Sequence, residues 1–282
     1  MDFVTAPTAI AEWSAEARAR GQQVGFVPTM GALHEGHLDL VHRARKVCDV
    51  IVCSIFVNPL QFNNPEDLER YPRRLEEDRK LLESAGCHAL FAPVKEALFE
   101  GFVPFTYDLQ GLDAHWEGPS RPGHFQGVVN VVERLFYHVR PDAAFFGEKD
   151  RQQLAIIQAV GENYRWPERI IACPTVRAAD GLALSSRNLR LSDAERSRAV
   201  RINQALKAAE DKAFEVSVEA TRDAALAVLA AEPLITLDYF GIAHPDTLEP
   251  LSDWSGLDRA VALIAAQVGP VRLIDNMTLE RQ

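Results

Sequence analysis

Val24-Gly25-Phe26-Val27-Pro28-Thr29-Met30-Gly31-Ala32-Leu33-His34-Glu35-Gly36-His37 is the stretch that decides the fold. Its first four residues form an apolar segment of strand length. Pro28 to His37 break that pattern with two glycines and two histidines. Apolar residues then return at helical spacing, at Leu38, Val41, Ala44 and Cys48. The following run, Asp49-Val50-Ile51-Val52-Cys53-Ser54-Ile55-Phe56-Val57, is nearly continuous in apolar residues, as in a strand buried on both faces of a parallel sheet. Strand, helix and strand within about 35 residues make a βαβ unit. Ligands of such sheets bind beyond the carboxyl ends of the strands. His34 and His37 therefore belong at one strand mouth, three residues apart on one face of a beginning helix, and Asn58-Pro59-Leu60-Gln61-Phe62 at the next. A helix N-terminus attracts anions through its unpaired N–H groups, and two imidazoles placed there add donors for phosphate oxygens.

Working outward, Ala9 to Gly21 reads as a first helix. Asn63 to Asp67 reads as a loop, Arg74 to Ser84 as a helix and Cys87 to Pro93 as a short strand. Val94 to Glu117 is irregular. Ser120-Arg121-Pro122-Gly123-His124-Phe125-Gln126-Gly127 leads into a helix from Val128 to Val139. Asp142 to Gly147 and Arg169 to Cys173 are further strands around a helix from Gln152 to Val160. Beyond a polar loop ending in Ser185-Ser186-Arg187-Asn188, the character changes. Ser192-Asp193-Ala194-Glu195 is a capping-box start to two alanine-rich helices. Leu237 to Ile242 and Arg259 to Ala265 look like strands. The expected architecture is α/β: a Rossmann-like, doubly wound parallel sheet over residues 1–175 and a smaller α+β C-terminal domain over 176–282.

Composition narrows the function classes. A chain of 282 residues with 47% hydrophobic content can bury a large core or two medium ones. A net charge of -10 argues against nucleic acid or an anionic membrane as partner. No apolar run reaches the roughly 18 residues of a membrane helix. Met1-Asp2-Phe3-Val4-Thr5 lacks the basic start of a secretory leader. Cys48, Cys53, Cys87 and Cys173 lie apart in apolar surroundings, which suits reduced buried thiols and a cytoplasmic location.

Four polar groups stand at positions of strand-exit type: His34 with His37, Asn58 with Gln61, Glu148-Lys149-Asp150 with Gln153, and Ser185-Ser186-Arg187. Two histidines, a lysine and an arginine can surround a polyphosphate. Gln61 and Gln153 offer neutral donors and acceptors to a hydroxylated, carboxylated small molecule. Each group also has a plainer reading: Lys149 paired with Asp150 at the surface, Ser185-Ser186 capping a turn, Gln153 solvated on a helix. A zinc helix motif requires histidines four apart, which this stretch does not have.

The motif Pro28 to His37 resembles the signature of the pantoate–β-alanine ligase family, within the His-x-x-His nucleotidyltransferases. Similar motifs follow in family order: Phe56 to Phe62, Arg121 to Phe125, Phe146 to Asp150, Leu184 to Asn188 and Arg272 to Asn276. The resemblance implies ATP-dependent condensation of pantoate with β-alanine through a pantoyl-adenylate, releasing AMP and diphosphate, in pantothenate and coenzyme A biosynthesis. It implies that ATP is bound by Met30, Gly31, Ala32, Leu33, His34, Glu35, Gly36 and His37, by Gly147, Glu148, Lys149 and Asp150, by Val176, and by Leu184, Ser185, Ser186 and Arg187. His37 is then the catalytic proton donor, with His34 and Lys149 assisting at the phosphates. Gln61 would touch pantoate and β-alanine, Gln153 pantoate, and Asn58 the substrate pocket. The resemblance further implies Mg2+ on the phosphates with Asp78 as a contact, a homodimer, and a C-terminal domain that closes over ATP. Arg151, Asn130 and Cys87-His88 depart from the family pattern without removing an expected ligand.

Overall fold

The computed structural model describes residues 1–282 except 63–67, 70, 255 and 282, so the expected loop over Asn63 to Asp67 lies outside the described residues. The elements run β1 (Asp2–Val4), α1 (Pro7–Ala19), β2 (Val24–Thr29), α2 (Glu35–Ala44), β3 (Val50–Ile55), α3 (Leu75–Ser84), β4 (Ala89–Phe91), α4 (His124–Val139), β5 (Ala143–Gly147), α5 (Arg151–Asn163) and β6 (Arg169–Cys173). Then follow α6 (Asp193–Glu210), α7 (Val218–Ala230), β7 (Ile235–Ala243), β8 (Arg259–Val268) and β9 (Val271–Glu280). Contacts divide the chain into two units, and the division is not two contiguous stretches. The first holds Met1–Asp113, Ser120–Glu148 and Gln153–Pro174; the second holds Ala114–Pro119, Lys149–Gln152 and Thr175–Gln282.

The first unit carries a six-stranded sheet, order β1-β4-β3-β2-β5-β6, with every pairing parallel. The order turns back between β2 and β5, which is the switch point where open α/β sheets bind ligands. Alternation along the strands builds one core on each face. Val24 and Phe26, with Val50 and Val52, pack with α1, α4 and α5. Val27, with Ile51 and Cys53, packs with α2 and α3. That is the doubly wound arrangement expected from the apolar runs.

Three boundaries differ from the sequence reading. The N-terminal Asp2–Val4 is a strand, created by parallel pairing with β4. Helix α4 begins at His124 rather than Val128, directly after Gly123 at φ +77°. Its first turn escaped the apolar pattern because Gln126 is polar and packs on a distant backbone, accepting from Tyr107 N and donating to Tyr107 O. The stretch after Val271 is a full strand, β9, antiparallel to β8.

In the second unit β7, β8 and β9 form an antiparallel sheet. Their apolar residues share a core with the two alanine-rich helices, through Ile202, Leu206, Ala225, Leu229, Ile264 and Val271 among others. Ser192 and Glu195 cap α6 reciprocally, as the capping box predicts. The four cysteines are free and buried, and burial raises their thiols above the ordinary range, Cys87 and Cys173 to about 11.

Candidate active site

In the first unit the site begins where β2 ends. Thr29 Oγ1 donates to Ser54 O at 2.7 Å and accepts from Gly31 N at 3.2 Å, which turns the chain away from the sheet. Gly31 (φ +83°) and Ala32 (φ +51°) are both left-handed, a conformation that glycine adopts freely and alanine only under constraint. The constraint is Asp78 of α3. Its carboxylate accepts from Ala32 N at 2.8 Å and Leu33 N at 2.7 Å. Burial pushes the Asp78 carboxyl above its ordinary pKa, and the two N–H bonds draw it back down.

His34 is the N-cap of α2. Its Nδ1 accepts from Gly36 N at 3.1 Å, and His37 Nδ1 accepts from His34 N at 3.3 Å. An imidazole that accepts through Nδ1 carries its proton on Nε2 when neutral. Both rings thus present an N–H donor from Nε2, and their centroids lie 4.0 Å apart. Four residues of backbone, His34 to His37, and two side chains make this arrangement, all within one turn of the helix start.

The Asn58–Gln61 segment is brought to the same turn. Asn58 is buried and caps a short 3-10 turn, accepting from Leu60 N and donating to Gln61 Oε1 (3.3 Å) and Gly127 O (3.0 Å). The amide of Asn58 is thereby a scaffold for Gln61. Gln61 Nε2 donates to the sulfur of Met30 at 2.9 Å. The backbone oxygen of Gln61 lies 2.8 Å from His124 Nδ1 and accepts from Arg121 Nη2 at 3.3 Å. Gly127 is required here, since a Cβ would run into Leu60 O. The Arg121–Gly127 motif therefore holds Gln61 in place. Gly147 ends β5, next to β2 in the sheet, and Glu148 follows it. Gln153 lies in the first turn of α5.

In the second unit, Lys149 and the Val176–Arg187 loop meet the same strand. Asn276 of β9 donates from Nδ2 to Lys149 O at 2.9 Å. Arg177 makes a two-pronged bond to the buried Asp275 (2.6 and 3.0 Å) and donates to Asn276 O. Leu184 N donates to Val176 O, which closes the loop on itself. Ser185 caps the 3-10 turn Ser186–Arg190, as the plainer reading had it. Ser186 is buried, and Lys149 reaches Asp150 only loosely, at 3.7 Å.

A clasp that the sequence reading missed sits beside these. Glu117 receives both arms of Arg272, at 2.7 and 2.8 Å, and the hydroxyl of Tyr239 at 3.0 Å. Burial, then the neighbouring Glu117 charge, raises the Tyr239 phenol well above its ordinary pKa. Arg272 also holds Asp238, at a register shift in β7. Gln152 accepts from Glu117 N and donates to His115 O. Arg151, the departure beside Gln153, donates to Pro245 O at 3.1 Å. No local pattern signals these partners, because they lie up to 155 residues apart.

The family profile described as Pantoate-beta-alanine ligase matches residues 2–278. The chain belongs to the pantoate-beta-alanine ligase family. A pantothenate synthetase of Porphyromonas gingivalis is 43% identical over 280 residues, covering 99% of this chain and all of that one. One of Thermus thermophilus is 49% identical over 256 residues, covering 90% and 92%. The crystal structure of a Thermus thermophilus pantothenate synthetase superposes with TM-score 0.90 over 98% of this chain and 99% of that one, at 47% identity. A Francisella tularensis pantoate-beta-alanine ligase, described as complexed with beta-gamma ATP and beta-alanine, superposes with TM-score 0.80, at 33% identity over 98% of this chain and 97% of that one.

Asp78, where the resemblance places a magnesium contact, is turned onto the backbone of the turn after β2. Both carboxylate oxygens are engaged by backbone amides, and the side chain is 2% exposed. Among the described residues, no three His, Cys, Asp or Glu side chains gather as a site built from protein ligands alone requires. No described helix is long and apolar enough to cross a membrane.

Proposed function

We propose that this chain joins pantoate to β-alanine at the expense of ATP, giving pantothenate, AMP and diphosphate, and so serves coenzyme A synthesis. The pair His34 and His37, capping α2 with both Nε2–H groups as donors beside the sheet's switch point, carries this reading. A carboxylate is a poor electrophile. Its oxygen first attacks the α-phosphorus and diphosphate departs, giving pantoyl-adenylate. The amine of β-alanine then attacks the activated carbonyl, loses a proton, and AMP departs. No nucleophilic side chain is needed, so the protein's task is placement and charge stabilisation.

On this reading His37 and His34 donate to phosphate oxygens whose charge grows as diphosphate leaves, and the N-terminus of α2 adds its dipole. The nucleotide contacts are Met30 to His37, Gly147 to Asp150, Val176 and Leu184 to Arg187, with Lys149 countering phosphate charge. Gln61, set by Asn58, Arg121 and His124, orients pantoate and β-alanine; Gln153 orients pantoate. Magnesium would be held chiefly by the phosphates and water, and no step is assigned to it. A cytoplasmic homodimer belongs to the same proposal.

The test is AMP formation from ATP, pantoate and β-alanine, in equal amount with pantothenate. His37→Ala should lower it by about 10²–10⁴-fold, the range for a lost acid–base or donor group, with folding intact. Turnover untouched by that change, or no AMP from pantoate in the unaltered protein, overturns the reading.

A further inference from the structure

Two successive backbone N–H groups that converge on one point form a concavity for an anion, the kind of nest that elsewhere holds phosphate. The turn after β2 builds one. Gly31 and Ala32 are both left-handed, and the N–H groups of Ala32 and Leu33 point the same way. The anion in this nest is the protein's own. Asp78 reaches it from α3, 45 residues along the chain, with one oxygen for each N–H. Asp78 Oδ2 also lies 3.0 Å from where a Gly31 Cβ would stand, so the carboxylate seals the turn from outside.

We propose that Asp78 is a positioning residue and not a metal ligand: it fills the Ala32–Leu33 nest and thereby fixes the start of α2, on which His34 and His37 ride. Ala32 at φ +51° would relax without its partner, because a non-glycine residue holds the left-handed region only when its surroundings impose it. Relaxation there moves His34, the next residue but one, and with it the His37 contact to His34 N. The amides of Ala32 and Leu33 are committed to Asp78, so phosphate contacts of the turn fall to its other donors. This rests on the proposed function for the identity of the nucleotide as ATP.

Asp78→Asn keeps the size and presents an amide NH2 where an acceptor is needed. ATP affinity, measured by calorimetry in excess chelator with no acid or amine present, should fall about tenfold or more, as for a lost charge-assisted pair. KM for ATP should rise in parallel, with KM for pantoate kept within about twofold. The Mg2+ concentration for half-maximal activity should not move. Unchanged metal-free affinity together with a raised Mg2+ requirement would make Asp78 a metal ligand and overturn the proposal. Loss of thermal stability alone, with both affinities intact, would also overturn it. Should Asp78→Asn not fold, amide hydrogen exchange of the unaltered protein without nucleotide decides. Ala32 and Leu33 N–H should exchange slowly, and rapid exchange there rejects the nest. A protein that fails to bind ATP would sink the proposed function instead, leaving the exchange result to judge Asp78 separately.

Discussion

The histidines of the turn after β2 and the polar residues of strand β9 both belong to motifs, yet their side chains are held by different means. At the turn, the imidazole bonds span two or three residues: Gly36 to His34 and His34 to His37. At β9, the bonds reach across the chain: Arg177 to Asp275 over 98 residues, Asn276 to Lys149 over 127, and Arg272 to Glu117 over 155. The first set is a property of a helix start. The second exists only after the second unit has folded. A chemistry-bearing motif can therefore be read for its role where its bonds are local, and only for its presence where they are not.

The sharpest way to break this contrast is Arg272→Ala. It leaves Glu117 buried without its cation, and the expected loss is about 3–5 kcal/mol, measured by denaturant unfolding. Glu117→Gln in the same chain should recover part of that loss, since the pair then fails as a unit. A loss no larger than that of an exposed ion pair would mean that β9 is not held by its distant partner.

A smaller effect is expected from Gly127→Ala. The added methyl meets Leu60 O, so the Asn58–Gln61 turn must shift, at about 1–3 kcal/mol for an overpacked site. KM for pantoate should rise while KM for ATP holds. An unchanged pantoate KM would show that the Arg121–Gly127 motif does not position Gln61, and that this region is more locally determined than its hydrogen bonds indicate.

The smallest effect belongs to Asp180, an exposed carboxylate paired with Arg196 at 2.7 Å. Its hydrogen bond to Arg196 holds the Asp180 carboxyl below its ordinary pKa of 3.8. A depressed carboxyl stabilises the fold above that value and loses its contribution as pH falls through the lower, folded-state pKa. Asp180→Asn should therefore cost about 0–1 kcal/mol at neutral pH and nothing in strong acid. A large cost at neutral pH would place this surface pair with the buried clasps.

Much of the sheet was legible because parallel strands buried on both faces are written as unbroken apolar runs. Strand β6, Arg169–Cys173, falls where the sequence reading put it. Strand β1 was not legible, since three residues form a strand only because β4 offers an edge. The start of α4 was hidden by His124 and Gln126, polar residues whose partners, Gln61 and Tyr107, lie 63 and 19 positions away. Asp78 shows the same limit within the site. Its type suggested a cation, and only its neighbours in space revealed two amides.

The amino-acid sequence alone determined the βαβ start, the doubly wound class, the family motifs and the histidine pair, because periodicity, capping and short-range bonds depend on residues a few positions apart. The tertiary structure alone decided what occupies each polar group: Asp78 on a backbone nest, Asn58 and His124 on Gln61, Asn276 on Lys149, Arg272 on Glu117. A buried donor or acceptor must find a partner wherever folding brings one, and nothing in the linear order of a chain states where that will be.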